Sequence, residues 1–405
     1  MTDTDVAPEY PAVRESRCPF APAAVIREMT RADTIGKVRI WDGSTPWLIS
    51  RHADQRALLN DPRISINEKR EGYPHMTRGR ATGAPHHPDL ITNTDPPEHT
   101  RLRRTVNGPF MVKRVEALRP RIQETFDGLV DDMLAGPNPA NLVEAIGLPV
   151  PTLVITQMLG APYEDHEFFQ TNSNKAISHE STAEETAAAS RALGEYLAAL
   201  LRKKIAEPAD DVMSEMGGRV EAGEMTFQEA VIMSSAILIA GHETSASMIS
   251  LGTLALLRDP EQLALLRDNS DDPRFVANAV EELLRYLTIV HSGIRRIANE
   301  DIDVRGTTIK AGDGIIFELA GANYDEAEFP DAEKLDLTRP ARSHHAFGYG
   351  VHQCLGQSLA RVELQVAYST LYRRIPTLAL AVPSERIEFA MEGVAYGLRN
   401  LPVTW

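Results

Sequence analysis

Residues 343–361 read S-H-H-A-F-G-Y-G-V-H-Q-C-L-G-Q-S-L-A-R, and they contain Cys354, one of two cysteines in a chain of 405 residues. Gly348 and Gly350 lack a Cβ atom, so the backbone here is able to turn tightly and approach a flat ligand. The amphipathic pattern that follows predicts a helix beginning at or just after Cys354. Unpaired N–H groups and the positive end of a helix dipole favour a thiolate at such a position. The stretch therefore predicts that Cys354 is a thiolate ligand of a metal.

The same stretch resembles the haem-binding loop of the cytochrome P-450 family, the haem-thiolate monooxygenases, whose pattern is F-x-x-G-x-x-x-C-x-G. Phe347, Gly350, Cys354 and Gly356 fill its four fixed positions. The resemblance implies haem b (iron protoporphyrin IX) as cofactor, Cys354 as the iron ligand, and Phe347, Gly348 and Gly356 as residues against the haem. A thiolate ligand favours O–O cleavage at such an iron. The alternative is a buried, unreactive cysteine.

The amino-acid composition excludes several kinds of partner and several classes of protein. The formal net charge of -15 argues against nucleic acid or an anionic membrane as a partner. No apolar run approaches the ~18 residues of a membrane span. Two cysteines far apart give no disulfide framework, and Cys18 in R-C-P-F-A-P is most simply a free thiol. We therefore expect a cytoplasmic protein with a polar tail at 1–17 and, since no linker or repeat divides the rest, a single domain at 18–405.

Periodicity predicts a mainly α-helical fold with a small β lobe. Helices are expected at 23–32, 51–61, 97–106, 112–135, 150–159, 163–172, 183–206, 226–258 and 273–286. Strands are expected in a hairpin around Asp42-Gly43 and at 302–309, 314–317 and 378–382. Segments 62–94 and 171–185 are polar without a sustained period, which predicts a mobile lid. The family resemblance implies a long central helix that crosses the haem, with the cysteine loop on the opposite face.

Within the long helix, residues 236–247 read A-I-L-I-A-G-H-E-T-S-A-S. The Thr244 hydroxyl is placed to bond the carbonyl of Ala240, four residues back, which bends a helix and leaves room for water. The segment resembles the family's A-G-x-E-T oxygen-activation motif, which implies catalytic roles for Glu243 and Thr244 and places Ala240 against the haem. The alternative is a buried threonine and a surface acid on a core helix. A zinc signature H-E-x-x-H fails, because Ala246 stands at its last position.

A second helix carries Glu282 and Arg285 in E-E-L-L-R-Y, three residues apart on one face. Alone, such a pair is usually a surface salt bridge worth little. It resembles the family's E-x-x-R pair, which implies a structural role shared with Arg339 in L-T-R-P. Tyr324, in A-N-Y-D, departs from the arginine of many relatives and puts no catalytic group in doubt.

Haem carries two propionates, so cations and hydrogen-bond donors are expected at its rim. The resemblance implies that these are His99, Arg103, Arg296 and His352. The adjacent Arg295 is able to exchange roles with Arg296. The histidines at 344, 345 and 352 also suggest a zinc cluster, but no second cysteine pair supports it.

A basic segment lies between 101 and 121, where Glu116 is the single acid. It is either a solvated helix face or a docking patch for an acidic redox protein. No G-x-G-x-x-G fingerprint is present, so electrons are expected from a separate ferredoxin and ferredoxin reductase. The residues expected to contact ferredoxin are Arg101, Arg103, Arg104, Lys113 and Arg114, and the segment continues to Arg119 and Arg121.

The resemblance also implies a mainly apolar substrate pocket. Its candidate residues are Leu90, Ile91, Ile239, Ala240, Ile289, Val290, Ile294, Val394 and Ala395. The C-P-F-A-P start, A-G-H-E-T and the L-P-V-T-W end look like soluble actinobacterial class I members. The implied function is hydroxylation or epoxidation of a lipophilic macrolide, terpenoid or sterol-like secondary metabolite. The alternatives are a peroxide-driven peroxygenase, against which Glu243-Thr244 counts, and a haem-based ligand sensor, for which the sequence carries no output domain.

Overall fold

The computed structural model describes residues 7–15, 19–177, 181–391 and 395–405. Cys18 and the pocket candidate Val394 lie outside these ranges. The described chain divides into a first unit, Met1–Arg101 with Glu281–Cys354, and a second unit, Leu102–Val280 with Leu355–Trp405. The single domain at 18–405 stays a prediction.

Helices dominate the described residues, and the expectation of a mainly α fold with a small β lobe is confirmed. Among these residues no helix combines the length and the apolar character that a membrane span needs. The α-helices are α1 (Ala24–Arg31), α2 (His52–Leu58), α3 (Arg78–Gly83), α4 (Glu98–Val106), α5 (Val112–Ala135), α6 (Pro149–Leu159), α7 (His166–Ile177), α8 (Ala183–Ala206), α9 (Val212–Glu221), α10 (Phe227–Leu257), α11 (Pro260–Asp268), α12 (Pro273–Leu287), α13 (Leu319–Asn323) and α14 (Gln357–Arg374).

The strands are short. They are β1 (Gly36–Lys37), β2 (Trp47–Ile49), β3 (Ile64–Ser65), β4 (Ala140–Asn141), β5 (Ile294–Ala298), β6 (Ile302–Val304), β7 (Thr307–Ile309), β8 (Gly314–Phe317), β9 (Ala379–Leu380), β10 (Phe389–Ala390), β11 (Gly397–Leu398) and β12 (Pro402–Thr404). In the second unit, β12 lies between β4 and β9, and β10 pairs with β11.

The first unit is built on a five-stranded sheet in the order β1-β2-β8-β5-β3. The predicted hairpin joins β1 to β2, and Gly43 takes the left-handed φ of 84° that its turn requires. The parallel partner of β2 is β8, whose four residues G-I-I-F are all buried. Because both faces of β8 are covered, Ile315 and Phe317 join Ile49 in one apolar core.

The second unit is organised around α10, a helix of 31 residues. Thr226 and Glu229 form a capping box at its start, which satisfies two N–H groups of the first turn. The helix is apolar on most sides because α6, α8 and α14 pack around it. It runs without a break through residues 240–244, so the predicted local opening is not seen as an interruption of the helix.

Two segments that were expected to lack regular structure contain helices or strands. Segment 62–94 contains β3 and α3, and the Thr77 side chain caps α3 by accepting from the N–H of Arg80. In segment 171–185 the connection between the two helices is shorter than expected, because α7 continues to Ile177 and α8 begins at Ala183. Pairing of β3 with β5 is a long-range contact that local periodicity does not report. The mobility of both segments stays a prediction.

The close packing of α10 on α14 generates a stability prediction. A Cβ atom at Gly252 would lie 2.0 Å from the Tyr368 hydroxyl oxygen, and that hydroxyl donates to the Met248 carbonyl at 2.5 Å. Gly252→Ala should therefore lower the free energy of unfolding by about 2 kcal/mol through overpacking. The loss should be somewhat smaller in a Tyr368→Phe background, because the closest clashing atom is then absent while the ring carbons at 2.6 and 2.9 Å remain. Chemical denaturation of the four proteins measures this coupling.

Gly128 on α5 is the matched control, because a Cβ there would meet nothing within 4 Å. Gly128→Ala should stabilise the protein by about 0.5–1 kcal/mol, since alanine loses less backbone entropy in a helix. Equal effects of the two Gly→Ala changes would contradict the packing argument.

Candidate active site

The loop of residues 343–354, here called the thiolate loop, belongs to the first unit. Gly348 and Gly350 take left-handed φ values of 68° and 76°. A Cβ at Gly350 would lie 2.6 Å from the Leu59 carbonyl oxygen, so only glycine fits there. The Cys354 N–H donates to the Phe347 carbonyl at 2.9 Å, which closes the loop. Cys354 is exposed, and α14 begins three residues later at Gln357, as the sequence predicts.

Glu282, Arg285 and Arg339 are brought together in the first unit. Arg285 donates to both Glu282 carboxylate oxygens, at 2.7 and 2.8 Å, and both side chains are fully buried. Arg339 Nε donates to the same carboxylate at 3.2 Å. The Tyr324 ring lies 5.4 Å from the Arg285 guanidinium, and its hydroxyl donates to the Tyr286 carbonyl. A tyrosine at 324 therefore adds a cation–π contact to Arg285 without adding another charge.

Among the cations expected at the haem rim, Arg296 has an environment that suits an anionic ligand. It is 6% exposed, and its Nη1 donates to the carbonyl of Arg295 at 2.7 Å. Burial lowers the pKa of Arg296 to about 10. Among the described residues it forms no ion pair with an acid. Arg295 is less buried and donates to the Gly293 carbonyl at 3.2 Å, so the structure distinguishes the two neighbouring arginines.

His99 and His352 also lie together, with ring centroids 4.1 Å apart. Nδ1 of His352 lies 3.3 Å from the Ile91 carbonyl oxygen. Burial, with Arg296 and His99 nearby, lowers the pKa of His352 to about 3. Arg103 belongs to the second unit, where its Nε donates to Asn107 at 3.0 Å. A buried cation that forms no ion pair among the described residues, beside the neutral imidazole of His352, suits an anionic group such as a haem propionate.

The A-G-H-E-T segment of α10 lies in the second unit. Thr244 Oγ1 donates to the Ala240 carbonyl at 2.9 Å, which is the bond that the sequence predicts. The backbone N–H of Ala395 donates to the carboxylate of Glu243, while burial raises the pKa of that carboxyl. His242 is buried, its Nδ1 lies 2.6 Å from Thr152 Oγ1, and burial lowers its pKa to about 4. In the described chain no group of three or more His, Cys, Asp or Glu side chains is placed to hold a metal ion.

A buried acid beside this segment was missed at the level of sequence. Glu363 on α14 is 2% exposed and accepts a hydrogen bond of 2.6 Å from the hydroxyl of Ser245, the residue after Thr244. Burial raises the pKa of Glu363 to about 7. The sequence signal was weak, because a glutamate on an amphipathic helix is ordinarily exposed.

The pocket candidates are distributed over both units. In the first unit, Leu90, Ile91, Val290 and Ile294 are half-buried and Ile289 is buried. In the second, Ile239 is half-buried, Ala395 is buried and Ala240 is exposed, although it lies on a largely apolar helix. Half-buried aliphatic side chains retain surface that an apolar ligand is able to cover.

Some cations of the basic segment are paired with acids, and others are not. Arg114 donates to Asp210 at 2.9 Å and also bonds Glu215. Arg119 bonds Glu116 at 2.8 Å, and Arg101 bonds Glu98. Among the described residues of this segment, three exposed cations form no ion pair or side-chain hydrogen bond. They are Arg104, Lys113 and Arg121.

Comparison with known proteins identifies the family. The family model described as Cytochrome P450 matches residues 38–375. Cytochrome P450 GfsF of Streptomyces halstedii is 51% identical over 416 residues, covering 100% of both chains. Pentalenic acid synthase of Streptomyces avermitilis is 42% identical over 408 residues, again covering 100% of both.

Solved structures agree with the sequence matches. The crystal structure of GfsF matches with a TM-score of 0.94 at 51% identity, covering 98% of this chain and 100% of that chain. Mycinamicin VIII C21 methyl hydroxylase from Micromonospora griseorubida, bound to mycinamicin VIII, matches with a TM-score of 0.89 at 40% identity, covering 98% and 100%.

The fold is thus that of a haem-thiolate oxidoreductase. The chain belongs to the cytochrome P450 family, and it is a monooxygenase with a haem-iron cofactor. Related proteins generally use redox partners and lipophilic substrates.

The Ser245–Glu363 contact generates a pH prediction. The native pKa of Glu363, about 7, lies above its ordinary value of 4.5, so the folded protein binds more protons between these limits. The contribution of Glu363 to stability therefore falls as pH rises from 4.5 to about 7 and is constant above. Glu363→Gln removes this titration, so the variant should gain stability relative to wild type over that window, by at most about 3 kcal/mol.

Denaturant unfolding at pH 5 and pH 8 measures the difference. Glu124→Gln, at an exposed position on α5, is the control and should shift equally at both pH values. A difference between wild type and Glu363→Gln that is independent of pH would show that Glu363 is ionised in the folded protein.

Proposed function

We propose that this enzyme holds haem b through Cys354 and hydroxylates or epoxidises a lipophilic secondary metabolite with electrons from a ferredoxin and its reductase. The observation that carries the proposal is the thiolate loop, where left-handed glycines and the Cys354-to-Phe347 hydrogen bond leave the cysteine exposed. When bound, thiolate-ligated haem supplies the reductive activation of O2.

The residues around the cofactor have separate tasks. Cys354 would ligate the iron, and Phe347, Gly348, Gly356 and Ala240 would contact the haem. Arg296 and His352, together with His99 and Arg103, would bind the propionates. A buried guanidinium keeps its proton at neutral pH, so an anion at Arg296 removes the cost of an unpaired interior charge. Glu282, Arg285 and Arg339 hold the surrounding backbone and touch neither cofactor nor substrate.

Glu243 and Thr244 are the catalytic pair, and their task is to manage protons. Burial raises the pKa of Glu243, which brings this acid closer to the operating pH, where general acids are most effective. The Ala395 N–H holds one position of the carboxylate. The Thr244 hydroxyl donates a hydrogen bond to the Ala240 carbonyl, so its oxygen lone pairs are available to accept a hydrogen bond from water.

The substrate class follows from the pocket residues. The candidate residues are all aliphatic and carry no charge; they are Leu90, Ile91, Ile239, Ile289, Val290, Ile294, Val394 and Ala395. Apolar contact selects lipophilic molecules by surface area. Pentalenic acid synthase and the mycinamicin hydroxylase support a terpenoid or macrolide substrate, and a sterol-like compound has the same chemistry.

Thr244→Ala tests the monooxygenase mechanism. The variant should bind haem and substrate as wild type does, because the hydroxyl makes only a local bond to Ala240. With ferredoxin and reductase added, NAD(P)H consumption should continue while product per NAD(P)H falls several-fold, because a positioned proton-transfer group is lost. Hydrogen peroxide should rise correspondingly.

The comparison variant is Thr244→Ser, which keeps the hydroxyl and should keep most of the coupling. An unchanged ratio of product to NAD(P)H in Thr244→Ala would remove Thr244 from the mechanism. Full activity of Thr244→Ala with supplied peroxide, in the absence of ferredoxin-dependent turnover by wild type, would favour a peroxygenase.

The ferredoxin surface is proposed on the basic segment, centred on its unsatisfied cations rather than on all of it. Arg104 and Lys113 are exposed and unpaired among the described residues, whereas acids already offset Arg101 and Arg114. Met111 and Val112, exposed by 62% and 66%, adjoin Lys113. Exposed apolar side chains beside free cations suit a small acidic partner, because charge steers the encounter and apolar area retains it.

Arg104→Glu and Lys113→Glu should each slow reduction by ferredoxin several-fold and leave substrate binding unchanged. Arg191→Glu on α8 makes the same charge change at another exposed position and should have little effect. Stopped-flow reduction of the wild type should slow as salt rises, since screening weakens steering. A reduction rate indifferent to salt and to Lys113→Glu would move the docking site elsewhere.

A further inference from the structure

A second acid of α12, Glu281, makes a contact that no proposed role yet uses. It precedes Glu282 and is also buried. Its Oε2 lies 3.0 Å from Nε2 of His344, and the two side chains are 3% and 1% exposed. His344 is the second residue of the thiolate loop, so this contact joins α12 directly to that loop.

Backbone geometry fixes the tautomer of His344. The N–H of Ala346 donates to His344 Nδ1 at 3.1 Å, so Nδ1 presents its lone pair. The ring proton is then on Nε2 and points at the Glu281 carboxylate. One imidazole therefore accepts from the loop backbone and donates to an acid on a helix, and rotating the ring would break both bonds.

This arrangement continues to the cysteine. Ala346 precedes Phe347, whose ring centroid lies 5.8 Å from that of His344 and whose carbonyl accepts from the Cys354 N–H at 2.9 Å. Neighbouring His345 is tied separately, because its N–H donates to Asn323 Oδ1 at 2.7 Å. The backbone at residues 344–347 is thus held at consecutive positions on the side from which Cys354 is oriented.

We infer that Glu281 and His344 are positioning residues for the thiolate loop, and that they hold it in the form in which Cys354 ligates iron as a thiolate. The inference rests on the proposed ligand role of Cys354. Loss of either bond frees residues 344–347, relaxes the Phe347-to-Cys354 turn, and lets the cysteine take up a proton or leave the iron.

The test uses holoprotein and four variants that separate the two halves of the contact. Glu281→Leu removes the acceptor, whereas Glu281→Gln keeps a carbonyl oxygen for Nε2–H. His344→Asn keeps an acceptor near Nδ1 and loses the donor to Glu281. His344→Gln keeps a donor near Nε2 and loses the acceptor for Ala346.

The readout is the absorption band of the reduced carbon monoxide complex, which is strongly red-shifted with a thiolate ligand and not with a neutral thiol. Glu281→Leu, His344→Asn and His344→Gln should raise the thiol share about tenfold, the factor that corresponds to about 1.4 kcal/mol for one buried hydrogen bond. Glu281→Gln should stay near wild type. Peptide 343–354 should also exchange amide hydrogens faster in the three disrupted variants.

Gly252→Ala is the control for general destabilisation, since it acts in the second unit and should leave the band unchanged. If Glu281→Leu does not accumulate as folded protein, the two His344 variants decide. A wild-type band in all variants would overturn the positioning role while leaving Cys354 as ligand. A wild type without the band, or a Cys354→His variant that retains it, would overturn the ligand proposal and this inference with it.

Discussion

Much of the first unit depends on one buried cation, Arg285. Its guanidinium donates to both oxygens of Glu282 and to the carbonyls of Asn323, Ala332 and Lys334. Removing a guanidinium from water costs several kcal/mol, which these bonds offset only while all the partners stay in place. Withdrawing one partner would leave a buried charge, at a cost of about 3–5 kcal/mol. The pair therefore specifies one arrangement of residues 323–339 more than it adds net stability.

The thiolate loop shares that rigidity through Asn323. The carbonyl of Asn323 accepts from Arg285, its Oδ1 accepts from the N–H of His345, and its Nδ2 donates to Thr288. A single residue thus connects the buried ion pair, through its backbone carbonyl, to the loop that carries Cys354, through its side chain. The motif of α10 differs, since Thr244 bonds only its own helix.

Local signals explain which elements were predictable from sequence. The bounds of α5 and α8 were predicted without error, because each segment has a sustained amphipathic period and a breaker or capping residue directly beside it. Strands β3 and β4 are two residues long and pair with strands that are distant in sequence. No local periodicity therefore predicts them. Glu281 and Glu363 were missed for the same reason. From sequence, each is a charged residue on a helix and is expected to be exposed. Each is buried only because other elements pack against its helix.

Three buried titratable groups show that a buried acid and a buried base differ in how they avoid the cost of an interior charge. Glu318 and Glu363, with pKa values raised to about 7 by burial, are partnered by the hydroxyls of Tyr10 and Ser245. A carboxyl group escapes the cost of burial by keeping its proton, after which a hydroxyl is a sufficient partner. Arg296 has no such escape, because even a pKa lowered to about 10 leaves it charged at neutral pH. Asp95 acts on Arg296 electrostatically but forms no ion pair with it among the described residues, so an entering anion would offset more of the cost of this buried charge. Among the described cations of the first unit, Arg296 is therefore one whose environment suits a negatively charged ligand.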